Sequence, residues 1–116
     1  MKTPIKPLIE FEDLVKIDIR VGTIEEVENV KTSNKLVKMQ VNFGDFNRQI
    51  LAGMQGERDD TQEIVGKQAL FVINMKPKKM AGELSEGMLY DIGYDDGIIP
   101  VLAQPEKQVP NGTRVG

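Results

Sequence analysis

Alternation of apolar and polar side chains over residues 37–43 is the feature that most limits how this chain can fold. Apolar and polar residues take turns along this stretch, as Val37, Lys38, Met39, Gln40, Val41, Asn42 and Phe43. Because successive side chains of a strand point to opposite faces, the spacing predicts a strand with one buried face. The chain should therefore contain a sheet whose inner face forms the core.

Similar patterns occur on both sides of this strand. Ile17, Ile19 and Val21 alternate with polar residues until Gly22, after which the apolar positions continue on a shifted phase, which predicts a bulge or sharp bend. Gly44 with Asp45 marks a hairpin turn. Further strands are predicted at residues 49–53, 68–74, 88–92 and 98–103, the last pair joined by a turn at residues 95–97. Pro100 should place the last strand at a sheet edge.

One segment carries helix signals instead. Asp60 is a good N-cap residue, Glu63 follows three positions later, and Gly66 stands where a helix of one or two turns would stop. These features predict a short helix between the third and fourth strands that begins with a capping box and ends at a glycine.

The order of elements predicts an all-β protein, an OB-fold. That fold is a five-stranded Greek-key barrel, here with a short helix between strands 3 and 4 and an extra C-terminal strand or extension. SH3-like and other small barrels share most of this order. The length of 116 residues fits a single domain over residues 1–116, with extensions at about 1–15 and 104–116.

The net charge of −3 argues at first against a nucleic-acid partner, but the charge is unevenly distributed. Residues 31–50 carry a net charge of +3 and residues 76–79 carry another +3. In an OB-fold, strands 2 and 3 and the neighbouring loops form the usual nucleic-acid site. Lys38 and Arg48 fall on those strands, so we expect both to contact RNA. Ordinary solvated surface is the alternative explanation of such lysine clusters.

The residue types that are missing exclude several functions. The chain has no His and no Cys, which excludes imidazole acid–base chemistry, thiolate chemistry and zinc sites built from these residues. We therefore expect a protein that is not an enzyme and that has no metal and no cofactor. No run of about 20 apolar residues or secretory signal pattern is present, so we expect a cytoplasmic protein.

The stretch Asn74–Leu89, NMKPKKMAGELSEGML, resembles the signature of the tRNA-binding domain family. That family includes stand-alone tRNA-binding proteins, the C-terminal domain of many methionyl-tRNA synthetases, and the CsaA export chaperone. Shorter family-like pieces occur in the right order at residues 18–22, 35–36, 48–53, 65–67 and 109–115. The resemblance implies an OB-fold that binds tRNA by shape and, in stand-alone members, a homodimer formed through both terminal segments.

The resemblance also implies the residues that bind tRNA. Phosphate contacts are implied for Lys35, Lys76, Lys78 and Lys79, polar contacts for Asn74 and Ser85, and an apolar contact for Met88. Other roles stay open at three positions. Met88 could belong to the core, Ser85 could cap a turn, and Arg20 could pair with an acid such as Asp18 or Glu25.

Three functions fit these observations. A non-catalytic, structure-selective tRNA-binding homodimer is the first, and a CsaA-type chaperone that binds unfolded or signal-bearing polypeptides is the second. The third is a C-terminal appendage, or beta subunit, of a methionyl-tRNA synthetase. Six Met residues, among them Met75 and Met80, could form an adaptable peptide surface or simply fill the core.

Overall fold

The computed structural model describes residues 3–116 and consists mostly of strands. Met1 and Lys2, the start of the predicted N-terminal extension, lie outside the described residues. The strands are β1 (Ile19–Asn29), β2 (Val37–Asn42), β3 (Asn47–Ala52), β4 (Gln68–Val72), β5 (Lys78–Met80), β6 (Glu83–Ser85), β7 (Met88–Leu89), β8 (Asp91–Ile92) and β9 (Val101–Leu102). One α-helix, α1 (Phe11–Leu14), and two 3-10 helices, Thr61–Ile64 and Tyr94–Asp96, complete the elements.

Five antiparallel strands form the main sheet, in the order β3-β2-β1-β4-β7. The sheet curls until its two ends nearly meet. There, the Leu51 N–H donates to the Ser85 hydroxyl at 3.0 Å, and the Glu86 N–H donates to the Gln49 carbonyl at 2.8 Å. The result is a nearly closed five-stranded barrel with a short helix between β3 and β4, which confirms the predicted OB-fold.

The predicted inner face of β2 lies at the centre of the core. Val37, Met39, Val41 and Phe43 are each at most 1% exposed. The Phe43 ring stacks on Phe46 and meets the edge of Phe71, with centroids 5.4 Å apart in both pairs. The alternation in the sequence therefore identified the barrel interior correctly.

The predicted irregularity of the first strand is also present. The pairing of β1 with β2 shifts register between Ile24 and Glu26, which is the mark of a bulge. At Gly22 the strand approaches the core so closely that a Cβ atom there would lie 2.6 Å from Val41 and 2.8 Å from Phe43. The prediction was wrong at the start of the strand, because β1 begins at Ile19 and Ile17 is 43% exposed.

The predicted helix is a 3-10 helix of four residues. Asp60 caps it as expected, since its carboxylate accepts the Gln62 N–H at 2.9 Å. Glu63 does not complete a capping box. Its carboxylate lies 3.2 Å from the Arg58 guanidinium instead, so an ion pair replaces the reciprocal hydrogen bond.

The sequence patterns missed two elements. Helix α1 is a single turn, and the hairpin of β5 and β6 consists of three-residue strands directly after Pro77. The hairpin turn uses Ala81 and Gly82, which both have positive φ (50° and 81°), the arrangement of a type I′ turn. Strands this short and polar carry too little periodicity to be predicted.

The strands of the C-terminal part are shorter than predicted, because residues 88–92 divide into β7 and β8, and only β9 lies within residues 98–103. β8 and β9 form the expected hairpin, and Pro100 directly precedes β9. The tail runs beside β1, where the Val21 N–H donates to the Thr113 carbonyl at 2.9 Å and the Gly112 N–H donates to the Val21 carbonyl at 2.8 Å. Within residues 3–116, no helix is long and apolar enough to cross a membrane.

Candidate nucleic-acid interface

The turn before β2 and the β5–β6 hairpin, the two basic parts of the chain, touch each other. The Thr32 hydroxyl donates a hydrogen bond of 3.2 Å to the carbonyl oxygen of Ala81 at the tip of the hairpin. The turn carries Lys31 and Lys35, and the hairpin carries Lys78 and Lys79. Segments that are separated by more than 40 residues in the sequence therefore form one basic surface.

Local hydrogen bonds hold the turn in its conformation. The Ser33 hydroxyl accepts the N–H groups of Lys35 and Leu36, each at 3.1 Å. The Gln55 side-chain amide donates to the carbonyls of Ser33 and Leu36 at 3.2 and 2.6 Å. Because these hydrogen bonds hold the backbone before and after Lys35, its exposed side chain projects from an ordered turn.

The hairpin presents its lysines to solvent. Lys76, Lys78 and Lys79 are all exposed. Lys78 lies opposite Ser85 and Lys79 lies opposite Leu84, so the two lysines belong to opposite faces of the hairpin. The ion pairs formed within residues 3–116 involve none of Lys35, Lys76, Lys78 and Lys79. Their charges are therefore available to a phosphate backbone.

Lys38 has different surroundings. It lies on the outer face of β2, as its parity predicted, but its ammonium group is 2.8 Å from Glu28 and 3.4 Å from Glu83. The hydrogen bond that Lys38 donates to Glu28 raises the pKa of Lys38, and the same bond lowers the pKa of Glu28. A phosphate at Lys38 would have to compete with two carboxylates.

Arg48 is likewise occupied by the protein. One guanidinium nitrogen donates to the carbonyls of Ile73 and Glu86 at 3.2 and 3.0 Å, and the group lies 4.9 Å from the centre of the Phe46 ring. Arg48 thus joins the end of β4 to the segment after β6.

Asn74 and Ser85, the expected polar contacts, make hydrogen bonds within the chain. Asn74 accepts the Asp18 N–H at 2.8 Å and donates to the Lys16 carbonyl at 2.6 Å. The Ser85 hydroxyl is buried and, besides accepting from Leu51, donates to the Gly87 carbonyl at 3.0 Å. Asn74 holds the N-terminal segment, and Ser85 holds the barrel seam.

Met88 is 40% exposed, so the core alternative for this residue is wrong. Its side chain lines an open groove of about 310 Å³ together with Ile17, Met75 and Tyr90, and Lys16 and Asn74 lie at the same groove. The groove is mostly apolar and adjoins the segment that contains Lys76.

Arg20 pairs with Asp18, one of the two acids considered for it. Its guanidinium donates to both oxygens of Asp18, each at 3.0 Å. This hydrogen bonding raises the pKa of Arg20. The bidentate pair links the start of β1 to the segment that Asn74 holds.

Two residues that the sequence patterns missed help to build this surface. Gln49 on β3 donates to the Leu84 carbonyl at 2.9 Å, and Glu83 on β6 lies within reach of both Lys38 and Gln49. The only available signal was the position of Gln49 at the start of the predicted third strand. No group of three or more Asp, Glu, His or Cys side chains among residues 3–116 is placed to hold a metal ion.

Comparison with known proteins identifies the family. The model of the tRNA binding domain family, tRNA_bind, matches residues 19–114. A methionine–tRNA ligase of Chlorobium phaeovibrioides is 40% identical over 114 residues, which is 98% of this chain but 16% of the ligase. The chain thus spans about one sixth of the length of such ligases.

Solved structures agree with the family match. A MetRS-related protein from Pyrococcus horikoshii superposes with a TM-score of 0.87 at 34% identity, covering 95% of this chain and 99% of that one. The chaperone CsaA from Bacillus anthracis superposes with a TM-score of 0.82 at 29% identity, covering 95% and 100%. With the barrel, the basic surface and these similarities combined, the chain belongs to the tRNA binding domain family.

Proposed function

We propose that this protein is a non-catalytic, structure-selective tRNA-binding homodimer that contacts tRNA phosphates through its joined basic surface. The observation that carries the proposal is the hydrogen bond from Thr32 to Ala81, which brings the turn before β2 against the β5–β6 hairpin. The main contacts would come from Lys35, Lys76, Lys78 and Lys79, which are exposed and form no ion pair within residues 3–116. A cytoplasmic location follows from tRNA as the ligand.

The scarcity of stacking side chains favours recognition of a folded RNA. Phe43 and Phe71 are fully buried, and Phe46 lies against Phe43 and Arg48. The exposed rings of Phe11 and Tyr94 belong to neither the turn before β2 nor the β5–β6 hairpin. Single-stranded RNA is usually bound by stacking bases on exposed aromatic rings, whereas duplex RNA is recognised through phosphates and 2′-hydroxyl groups. A surface of lysines beside few exposed aromatics suits the second mode.

The N-terminal segment supports the homodimer. Ile5, Leu8 and Phe11 are 92%, 95% and 72% exposed, although side chains of this kind gain free energy by leaving water. A second copy that covers this segment would bury them and place two basic surfaces on one particle. Binding at the first surface would then raise the effective concentration at the second.

The CsaA-type chaperone is the second candidate. The groove lined by Met75, Met88 and Tyr90 could accept an apolar segment of an unfolded or signal-bearing polypeptide, because Met side chains adapt to irregular partners. The similarity to the CsaA chaperone of Bacillus anthracis makes this alternative specific. A third candidate, an appendage of methionyl-tRNA synthetase, rests on the similarity to methionine–tRNA ligases.

Parallel titrations test these functions. The purified protein is titrated with bulk tRNA and with an unfolded preprotein at 50 mM and 200 mM salt. We expect tRNA binding that weakens steeply with salt, since bound lysines release counterions from the phosphates. Binding of the preprotein alone would favour the chaperone, and salt-insensitive tRNA binding would contradict phosphate contact.

Light scattering at micromolar concentration tests the homodimer, and a monomer there would contradict it. Association with a purified methionyl-tRNA synthetase lacking such a domain, measured in the same way, would favour the appendage.

A further inference from the structure

Within the basic surface, one acidic side chain lies where a nucleic-acid interface would not be expected to keep a negative charge. Glu83 stands on β6, next to the basic strand β5, and its side chain is 36% exposed. One carboxylate oxygen is 3.4 Å from the Lys38 ammonium group, and the other is 3.5 Å from the Gln49 amide nitrogen. Glu83 thus contacts both β2 and β3 from the hairpin.

The hairpin depends on β6 for its position. Strand β5 pairs with β6, and the two form a separate two-stranded sheet beside the barrel. Besides the bond from Thr32 to the hairpin tip, attachment to the barrel comes from β6 and the segment after it, through Ser85, Glu86 and the carbonyl of Leu84. Because β5 pairs with β6, the positions of Lys78 and Lys79 depend on how β6 is held.

We propose that Glu83 is a positioning residue: its carboxylate, held by Lys38 and Gln49, anchors the β5–β6 hairpin to the outer face of the barrel and so sets where Lys78 and Lys79 meet RNA. The inference rests on the proposed tRNA binding. It assigns Lys38 to the anchor, which explains why this lysine lies between carboxylates within a basic surface.

The chain supplies a matched control for the test. Glu28 also binds Lys38, at 2.8 Å, but it lies on β1 and is 67% exposed. Glu28→Gln and Glu83→Gln remove the same charge from the same lysine, yet of these two carboxylates only that of Glu83 lies on the hairpin. If Glu83 did not anchor the hairpin, either substitution would tighten tRNA binding slightly, because it removes a negative charge near phosphate.

The experiment measures the tRNA affinity of both variants over about 50–200 mM salt, which gives the salt slope, and amide hydrogen exchange of the free proteins. We expect Glu83→Gln to bind tRNA about two- to fivefold more weakly, the scale of losing a partly exposed ion pair. Its salt slope should stay unchanged, since no phosphate contact is removed. Amide exchange in residues 78–85 of Glu83→Gln should become faster. Glu28→Gln should neither weaken tRNA binding nor speed this exchange.

Several results would overturn the inference. Affinity of Glu83→Gln equal to or tighter than that of the unmodified protein would do so, and so would unchanged exchange in the hairpin. Circular dichroism of each variant separates local loosening from global unfolding. If the unmodified protein does not bind tRNA, the proposed function fails, and the exchange measurement alone still decides whether Glu83 anchors the hairpin.

Discussion

The buried hydroxyl of Ser85 accepts the backbone N–H of Leu51 at 3.0 Å, and this bond lies where the two ends of the curled sheet meet. A side chain that the family signature associates with RNA contact is thus part of the barrel itself. The signature combines residues that shape the hairpin with residues that face solvent.

Ser85→Ala should lower the free energy of unfolding by more than it weakens the free energy of tRNA binding. The substitution leaves the Leu51 N–H without its partner at a buried position, which costs about 1–3 kcal/mol. Chemical denaturation measures this loss. Unchanged stability together with a large loss of tRNA affinity would show instead that the hydroxyl contacts RNA directly.

Gly22→Ala tests the close packing where β1 approaches the core at Gly22. A Cβ atom at this position would overlap Val41 and Phe43, both of which are core residues. We expect a loss of about 1–3 kcal/mol in the free energy of unfolding, typical of overpacking. Gly53→Ala is the matched control, because a Cβ there meets no atom within 4 Å. Equal effects of the two substitutions would contradict the close approach at Gly22.

Asn74 should protect the segment before β1. In Asn74→Ala the Asp18 amide loses its acceptor at 2.8 Å, so its hydrogen exchange should become faster. Asn74→Asp keeps the acceptor but loses the bond to the Lys16 carbonyl, so the Asp18 amide should stay protected. Equal exchange of the Asp18 amide in all three proteins would show that Asn74 does not hold this segment.

The strands with clear alternation were predictable, and the hairpin that completes the site was not. Residues 37–43 reveal their buried face through side-chain parity alone. The β5–β6 hairpin has three residues in each strand, and its turn places Ala81 at positive φ, a conformation that alanine gives no reason to expect. Its position depends on contacts with β2 and β3, which no local pattern encodes.

The candidate site, too, could be predicted from the sequence only in part. The sequence placed the exposed Lys35 and Lys79 in basic segments, and the family resemblance implied that they contact phosphate. The roles of Lys38 and Arg48 depend on partners far away in the chain, the carboxylate of Glu83 for Lys38 and the backbone carbonyl of Glu86 for Arg48. The sign of a charge can be read from a sequence, whereas the distant groups that bind the charged side chain depend on the fold.

Glu57 should make stability depend on pH. Burial raises its pKa, nearby Asp91 adds to this shift, and Arg58 opposes it. A raised pKa in the folded state stabilises the protein at pH below the usual value of 4.5, and this contribution disappears as the pH rises through the folded value. The melting temperature of Glu57→Gln relative to the unmodified protein should therefore be higher at pH 7 than at pH 4. The opposite trend in thermal unfolding would contradict the burial effect.

The most direct measurement compares tRNA binding by two double charge reversals over a range of salt concentrations. Lys78→Glu/Lys79→Glu changes the hairpin, and Lys67→Glu/Lys107→Glu makes the same change in net charge at exposed positions outside it. Phosphate contact predicts at least about tenfold weaker binding for the hairpin variant and a salt slope lower by about one unit for each lost contact. The control should lose much less affinity and keep its slope. Equal losses, or a hairpin variant that binds like the unmodified protein, would contradict tRNA binding at this surface.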